Sequence, residues 1–301
     1  MPKLGETIGR FTLEQALGQG PMSEVFLGIE RETGWKVALK VFLLEPGSKP
    51  EDRAAWAKRM VREATTAAQF RHENVICVHE VGEERGSPYL VRDFIEGAAL
   101  AEHAADRTAG ALARKVRWLR DLAATLADIH RAGLVHRDVK PSNVLIRRDG
   151  ALRLLDFGVA RRSVDREAGL VKTVDRSSSG AERVRVLGTP SYMAPERFAH
   201  QPTSAATDQF GWGVVAYEVL TGSLPWGDVT KDVAGGRRAR AVPIIEAILT
   251  RTPEALRALA PDVPLPVEAV VARALAKDPA ERHSSMDDIA RAMTALTGAP
   301  R

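Results

Sequence analysis

Cysteine is almost missing from this chain of 301 residues. Cys77 stands alone, so no intrachain disulfide can form, and a reducing compartment such as the cytoplasm is expected. By itself Cys77 reads as a small buried apolar residue of a strand. Long apolar runs are also missing, and the opening residues Met1-Pro2-Lys3-Leu4-Gly5-Glu6 carry no signal-like apolar core. The sequence therefore predicts a soluble chain without a membrane segment. Aromatic residues make up 5% and the net charge is +4. With no basic motif interleaved with aromatics, so small an excess argues against a nucleic-acid partner. Lysine is sparse too, at 10 of the 43 basic residues. What remains is 45% hydrophobic and 27% charged, a globular composition with enough apolar material for one large domain or two lobes, and no internal repeat.

The densest chemistry lies in His136-Arg137-Asp138-Val139-Lys140-Pro141-Ser142-Asn143, followed by Asp156-Phe157-Gly158. Between them, Val144-Leu145-Ile146 and Leu152-Arg153-Leu154-Leu155 flank Arg147-Arg148-Asp149-Gly150, and the Asp-Gly step predicts a hairpin. Such a hairpin gathers Asp138, Asn143 and Asp156 at one end of a small sheet. Mg²⁺ takes oxygen ligands and keeps several waters, so one carboxylate and one amide oxygen suffice to hold it against phosphates. The other carboxylate is left to orient an attacking hydroxyl, and Lys140 can neutralise charge on a transferring group.

These motifs resemble the catalytic core of a Hanks-type (eukaryotic-like) bacterial serine/threonine protein kinase. The resemblance covers residues 9–296 and implies an α+β, bilobal fold. It has a small N-lobe of antiparallel sheet plus one helix over about 9–92, a hinge over 93–97 and a larger, mainly helical C-lobe over 98–296. Residues 1–8 and 297–301 are short tails. It also implies ATP with Mg²⁺ or Mn²⁺ as cofactors and proteins with Ser or Thr acceptors as substrates; the oligomeric state is left open. Asp138 is then the catalytic base, Lys140 and Lys40 stabilise phosphate charge, and Asn143 and Asp156 hold the metal.

Other positions follow from the same resemblance. Leu17-Gly18-Gln19-Gly20 through Val25 resembles the phosphate-covering loop, with Ser23 in place of the third glycine, and Val37-Ala38-Leu39-Lys40 the strand bearing the phosphate-contacting lysine. Glu63, on a helix read over 51–70, is the implied partner of Lys40. Asp93, Phe94 and Ile95 supply the hinge, with Asp93 and Ile95 implied in adenine binding together with Leu145. Arg92 falls at the gatekeeper position, where an unpaired buried guanidinium is costly, so it is expected to pair with a carboxylate or to snorkel. His136 is read as structural, and Arg137 as a contact for a phosphorylated loop.

Arg161 to Leu187 is the least regular stretch and resembles an activation loop. Thr173 and Ser177-Ser178-Ser179 are its acceptor candidates, with a flexible linker as the competing reading of the serine run. Gly188 to Glu196 matches the substrate-positioning segment, in which Thr189 contacts Asp138 and Lys140 and favours Ser or Thr as acceptor. Glu196 is paired by resemblance with Arg282, a buried pair whose disruption costs about 3–5 kcal/mol. Asp208 opens a helix that is apolar all round, hence buried. The Gly235 to Arg240 segment reads as a solvated basic loop, and further helices as 112–132, 243–250, 266–276 and 286–296. The competing function is an ATP-binding pseudokinase or scaffold on the same fold. Phosphorylation of a small molecule fits less well, because the peptide-positioning segment is present.

Overall fold

The computed structural model describes residues 2–20, 23–43, 50–155, 172–173, 183–184, 190–199, 201–231 and 237–297, with backbone alone at 50–54, 59, 63, 66–67, 172–173, 183–184, 237–239 and 297. The chain divides between Glu96 and Gly97 into two compact units.

In the first unit the chain forms β1 (Thr7–Ile8), β2 (Phe11–Gln19), β3 (Ser23–Glu30), β4 (Lys36–Phe42), helix α1 (Pro50–Ala68), β5 (Val78–Glu84) and β6 (Ser87–Asp93). The strands make one six-stranded sheet in the order β1-β2-β3-β4-β6-β5, antiparallel at every pairing. Central β4 is rich in Val, Leu and Phe and is buried at all but its first and fifth residues, as a strand covered on both faces should be. Phe11, Leu13, Phe26, Val37, Leu39, Val41 and Val91 fill one core. Phe42, Leu90, Met60 and Ala64 form another, which seats α1 on the sheet. β2 starts inside this core but is exposed from Glu14 to Gln19, and its pairing with β3 is interrupted between Leu13 and Gln15 and between Ala16 and Gly18. Such bulges bend a strand away from its ladder.

The second unit begins with β7 (Gly97–Ala99), followed by α2 (Ala111–Arg131), β8 (Val144–Arg147), β9 (Leu152–Leu154), β10 (Lys172–Thr173), β11 (Arg183–Val184), α3 (Pro195–Phe198), α4 (Ala205–Thr221), α5 (Arg237–Thr250), α6 (Leu256–Leu259), α7 (Leu265–Ala274) and α8 (Met286–Thr297). β7, β8 and β9 make a three-stranded sheet. Gly97 is required there by close approach: a Cβ would lie 2.2 Å from the Ile146 carbonyl oxygen. α4 buries fourteen of its seventeen residues. The Trp212 indole of α4 donates to the Leu119 carbonyl of α2 at 3.0 Å, because a buried N–H needs a partner. α4 ends at Gly222 with φ 82°, the left-handed cap that glycine adopts without a Cβ penalty.

Three expectations change. Arg237–Arg240 is the opening of α5, not a loop, and the helix continues through Pro243. Arg and Ala are strong helix formers, so the proline is absorbed inside the helix and does not mark its start. Cys77 lies just ahead of β5, half-buried, because the strand begins at Val78 and not at Val75. Within the stretch read as irregular, Lys172–Thr173 pairs antiparallel with Arg183–Val184.

Candidate active site

The run from His136 to Asn143 enters the β8–β9 hairpin. Pro141–Asn143 makes one short 3-10 turn, which Asn143 leaves directly into β8. Asn143 O then accepts from Leu155 N at 2.7 Å, closing the hairpin at its base. At this base the Lys140 ammonium donates to Asp138 Oδ2 at 2.8 Å. The Asn143 amide nitrogen donates to Asp138 Oδ2 at 3.0 Å and to the Asp138 carbonyl at 2.8 Å. A cation and an amide thus fix the plane of one carboxylate. With its nitrogen turned to Asp138, Asn143 has its amide oxygen left as a donor atom suited to a hard cation.

The loop itself is held from below. Asp208, buried in the first turn of α4, accepts from His136 N and Arg137 N, both at 2.7 Å, and pairs with His130 Nε2 at 2.8 Å. Arg137 adopts φ 69°, a conformation that non-glycine residues rarely take, and the carboxylate is what holds the backbone there. The fully buried His136 ring meets the Leu155 carbonyl through Nε2 at 2.8 Å, in keeping with a structural role.

Glu196 and Arg282 meet as the resemblance implies. Arg282 Nη1 and Nη2 donate to Glu196 Oε1 and Oε2 at 3.0 and 2.8 Å, both residues being buried. Burial opposes ionisation of Glu196, but the hydrogen bonds and charge of Arg282 outweigh it and hold the carboxyl below its ordinary range. Thr207 adds a 3.0 Å hydrogen bond to the same carboxylate. Tyr192 donates to Glu218 at 2.6 Å, and burial pushes that carboxyl up.

In the first unit, Gly18 pairs with Val25, Val25 with Lys40, and Leu27 with Ala38, so these positions share adjoining strands. Leu17 is exposed, and Gly20 N donates to Ser23 O at 2.7 Å in the turn between β2 and β3. The Lys40 ammonium lies 5.3 Å from the centroid of the Phe42 ring. Asp93 ends β6 and Ile95 follows it, whereas Leu145 lies on β8 of the second unit. Arg92 is buried in β6 opposite Ala38 and does not snorkel. The side chain of Glu63 and the whole of Asp156, Phe157, Gly158, Ser177 to Ser179 and Thr189 lie outside the described residues. His130 escaped the sequence reading, since nothing local links it to a carboxylate 78 positions on.

Comparison with known proteins decides the family. The protein kinase domain matches residues 11–294. The chain belongs to the protein kinase family. It is 32% identical over 293 residues to the serine/threonine-protein kinase PknH of Mycobacterium bovis, covering 96% of this chain and 44% of that protein. Against PknE of the same organism it is 32% identical over 290 residues, covering 96% and 46%. A probable serine/threonine-protein kinase of Streptomyces coelicolor is 30% identical over 286 residues, covering 93% and 39%. The chain spans less than half the length of these bacterial relatives. Among solved structures, the PpkA-294 apo form has a TM-score of 0.70 at 22% identity, covering 97% of this chain and 99% of that one. The α+β kinase fold is thus shared well beyond the reach of sequence identity. No described helix is long and apolar enough to cross a membrane.

Proposed function

We propose that this chain is a serine/threonine protein kinase domain, spanning 9–296, that transfers the γ-phosphoryl group of ATP to Ser or Thr hydroxyls of proteins, itself included, in bacterial signalling in the cytoplasm. The observation that carries the reading is the Asp138 carboxylate fixed by Lys140 and Asn143 in a chain of the kinase family. Bound with its divalent cation, Mg²⁺ or Mn²⁺, ATP supplies the phosphoryl group and an in-line leaving group.

Asp138 orients the acceptor hydroxyl and accepts its proton. Lys140, already bonded to that carboxylate, offers its charge to the transferring group, and Lys40 to the phosphates from β4. Asn143 and Asp156 hold the cation. Leu17, Gly18, Gly20, Val25 and Ala38 cover the nucleotide, Asp93, Ile95 and Leu145 contact the adenine, Glu63 holds Lys40, and Thr189 steadies Asp138. Positioning and charge neutralisation account for most of the acceleration, because phosphoryl transfer demands little covalent work of the protein. Mass spectrometry of every Ser and Thr after incubation with Mg-ATP, beside Asp138→Ala, tests this. Phosphate confined to the unsubstituted protein supports it. ATP binding with no phosphate on the chain or on a basic protein substrate overturns it in favour of a nucleotide-binding scaffold.

A further inference from the structure

Cys77, His79 and Asp93 converge at one end of the β5–β6 pair, and the proposed chemistry uses neither of the first two side chains. One donor atom from each lies within 4.8 Å of the others. Cys77 Sγ is 3.7 Å from His79 Nδ1, and His79 Nε2 is 2.6 Å from Asp93 Oδ1. The sheet fixes the three backbones: Asp93 N donates to Cys77 O at 3.2 Å, and Val78 pairs with Arg92 between them. The Trp35 ring packs edge-on against the His79 imidazole at 4.8 Å, limiting its rotation. Cys77 is half-buried, while the His79 and Asp93 side chains are 29% and 40% exposed, so an ion can enter from solvent.

We propose that this trio is a binding site for a zinc-type divalent cation, with thiolate, imidazole and carboxylate as three ligands and water as the fourth. Zinc takes sulfur at about 2.3 Å and imidazole nitrogen at about 2.0–2.1 Å, which in a tetrahedron sets the two donors about 3.6 Å apart. The separation of 3.7 Å between Sγ and Nδ1 already meets this. Asp93 Oδ1 meets Nε2, the ring nitrogen away from Cys77, so its carboxylate completes the site by releasing that hydrogen bond and swinging to the Nδ1 side.

A sulfur and a nitrogen donor select against Mg²⁺, which prefers an all-oxygen shell, so the site is separate in chemistry from the metal site proposed at Asn143 and Asp156. The Arg71 guanidinium also contacts the Cys77 sulfur. Arg71 is exposed and can swing away. Because the thiol must lose its proton and the imidazole must be neutral, binding strengthens as the pH rises. An ion here joins the start of β5 to the last residue of β6 and stiffens the strand end that leads to Glu96, the last residue before the division between the units.

The test is titration of the metal-free chain with Co²⁺, read by absorption. The expected result is a thiolate-to-cobalt charge-transfer band that saturates at one equivalent, is displaced by Zn²⁺ and survives excess Mg²⁺. Cys77→Ser should abolish the band, and His79→Ala or Asp93→Asn should weaken binding by about 10-fold or more. Circular dichroism and the urea midpoint of each variant in chelator show that it is folded. Three results would overturn the site: no band in the unsubstituted chain, a band unchanged by Cys77→Ser, or displacement by Mg²⁺. Rapid alkylation of Cys77 without any cobalt band would mark the trio as a reactive thiol instead.

Discussion

Arg282 grips Glu196 from 86 positions away, and its two terminal nitrogens reach the two carboxylate oxygens separately at 3.0 and 2.8 Å. The same guanidinium donates to the carbonyls of Ala206, Ala276 and Lys277, so one buried cation joins α3, α4 and the turn after α7.

Removing either partner strands a charge in the interior. Arg282→Ala and Glu196→Gln are each expected to cost about 3–5 kcal/mol in urea unfolding, and the double substitution less than the sum. Glu196 titrates below its ordinary value of 4.5. Its contribution is therefore complete above that pH and declines as the pH falls through the lowered folded value. Unfolding followed from pH 7 down to pH 3 should show a shallower loss in Glu196→Gln than in the unsubstituted chain.

For Asp138, loss of the carboxylate removes the proposed proton acceptor while leaving the nucleotide contacts proposed in the first unit intact. Asp138→Ala should lower the rate of phosphoryl transfer by about 10²–10⁴-fold or more. Its affinity for ATP should stay within a few-fold, as read by calorimetric titration; a fully active variant would refute the assignment of the base.

Lys277 sits against the Trp226 ring at 3.9 Å and donates to the Ile248 carbonyl. Burial, aided by the nearby Arg282, brings its pKa down from 10.5 to about 8. Burial, with Arg107 next, does the same for Lys115, also to about 8. A lysine lowered on folding binds more protons when unfolded, so stability rises with pH between about 8 and 10. Above pH 10 the tyrosines, whose pKa values burial raises, reverse the trend, Tyr89 reaching about 12. Lys277→Met should flatten the rise in a denaturation series from pH 7.5 to 9.5. An unchanged slope would contradict the burial argument.

Gly97 offers a steric test. A methyl group there meets the Ile146 carbonyl oxygen at 2.2 Å, a backbone atom that cannot swing aside. Gly97→Ala is expected to destabilise the second unit by about 1–3 kcal/mol. Gly34→Ala, with open space around it but φ 73°, separates the two effects, since its cost is purely conformational.

Sequence made the catalytic loop legible because its chemistry is packed within eight residues, and local spacing is what a linear reading sees best. The Glu196–Arg282 pair was reachable only through resemblance, since no local pattern links positions so far apart. Arg237–Arg240 misled because proline at 243 signals a helix start, whereas the helix-forming Arg and Ala residues ahead of it carry the helix through the proline. Cys77 was taken for a core residue by its type, but its character depends on His79 and Asp93, and the latter reaches it only across the β5–β6 register. His130 gave no signal, as a histidine on an amphipathic helix looks alike whether it faces solvent or a carboxylate.

The clamp beneath the loop also has a temporal side. His136 N and Arg137 N are held by a carboxylate 72 and 71 positions further along the chain. Synthesis proceeds from the N-terminus at about 5–20 residues per second, so Asp138 and Lys140 emerge several seconds before the side chain that sets the backbone ahead of them. During that interval the nascent chain carries every residue of the loop but not its shape.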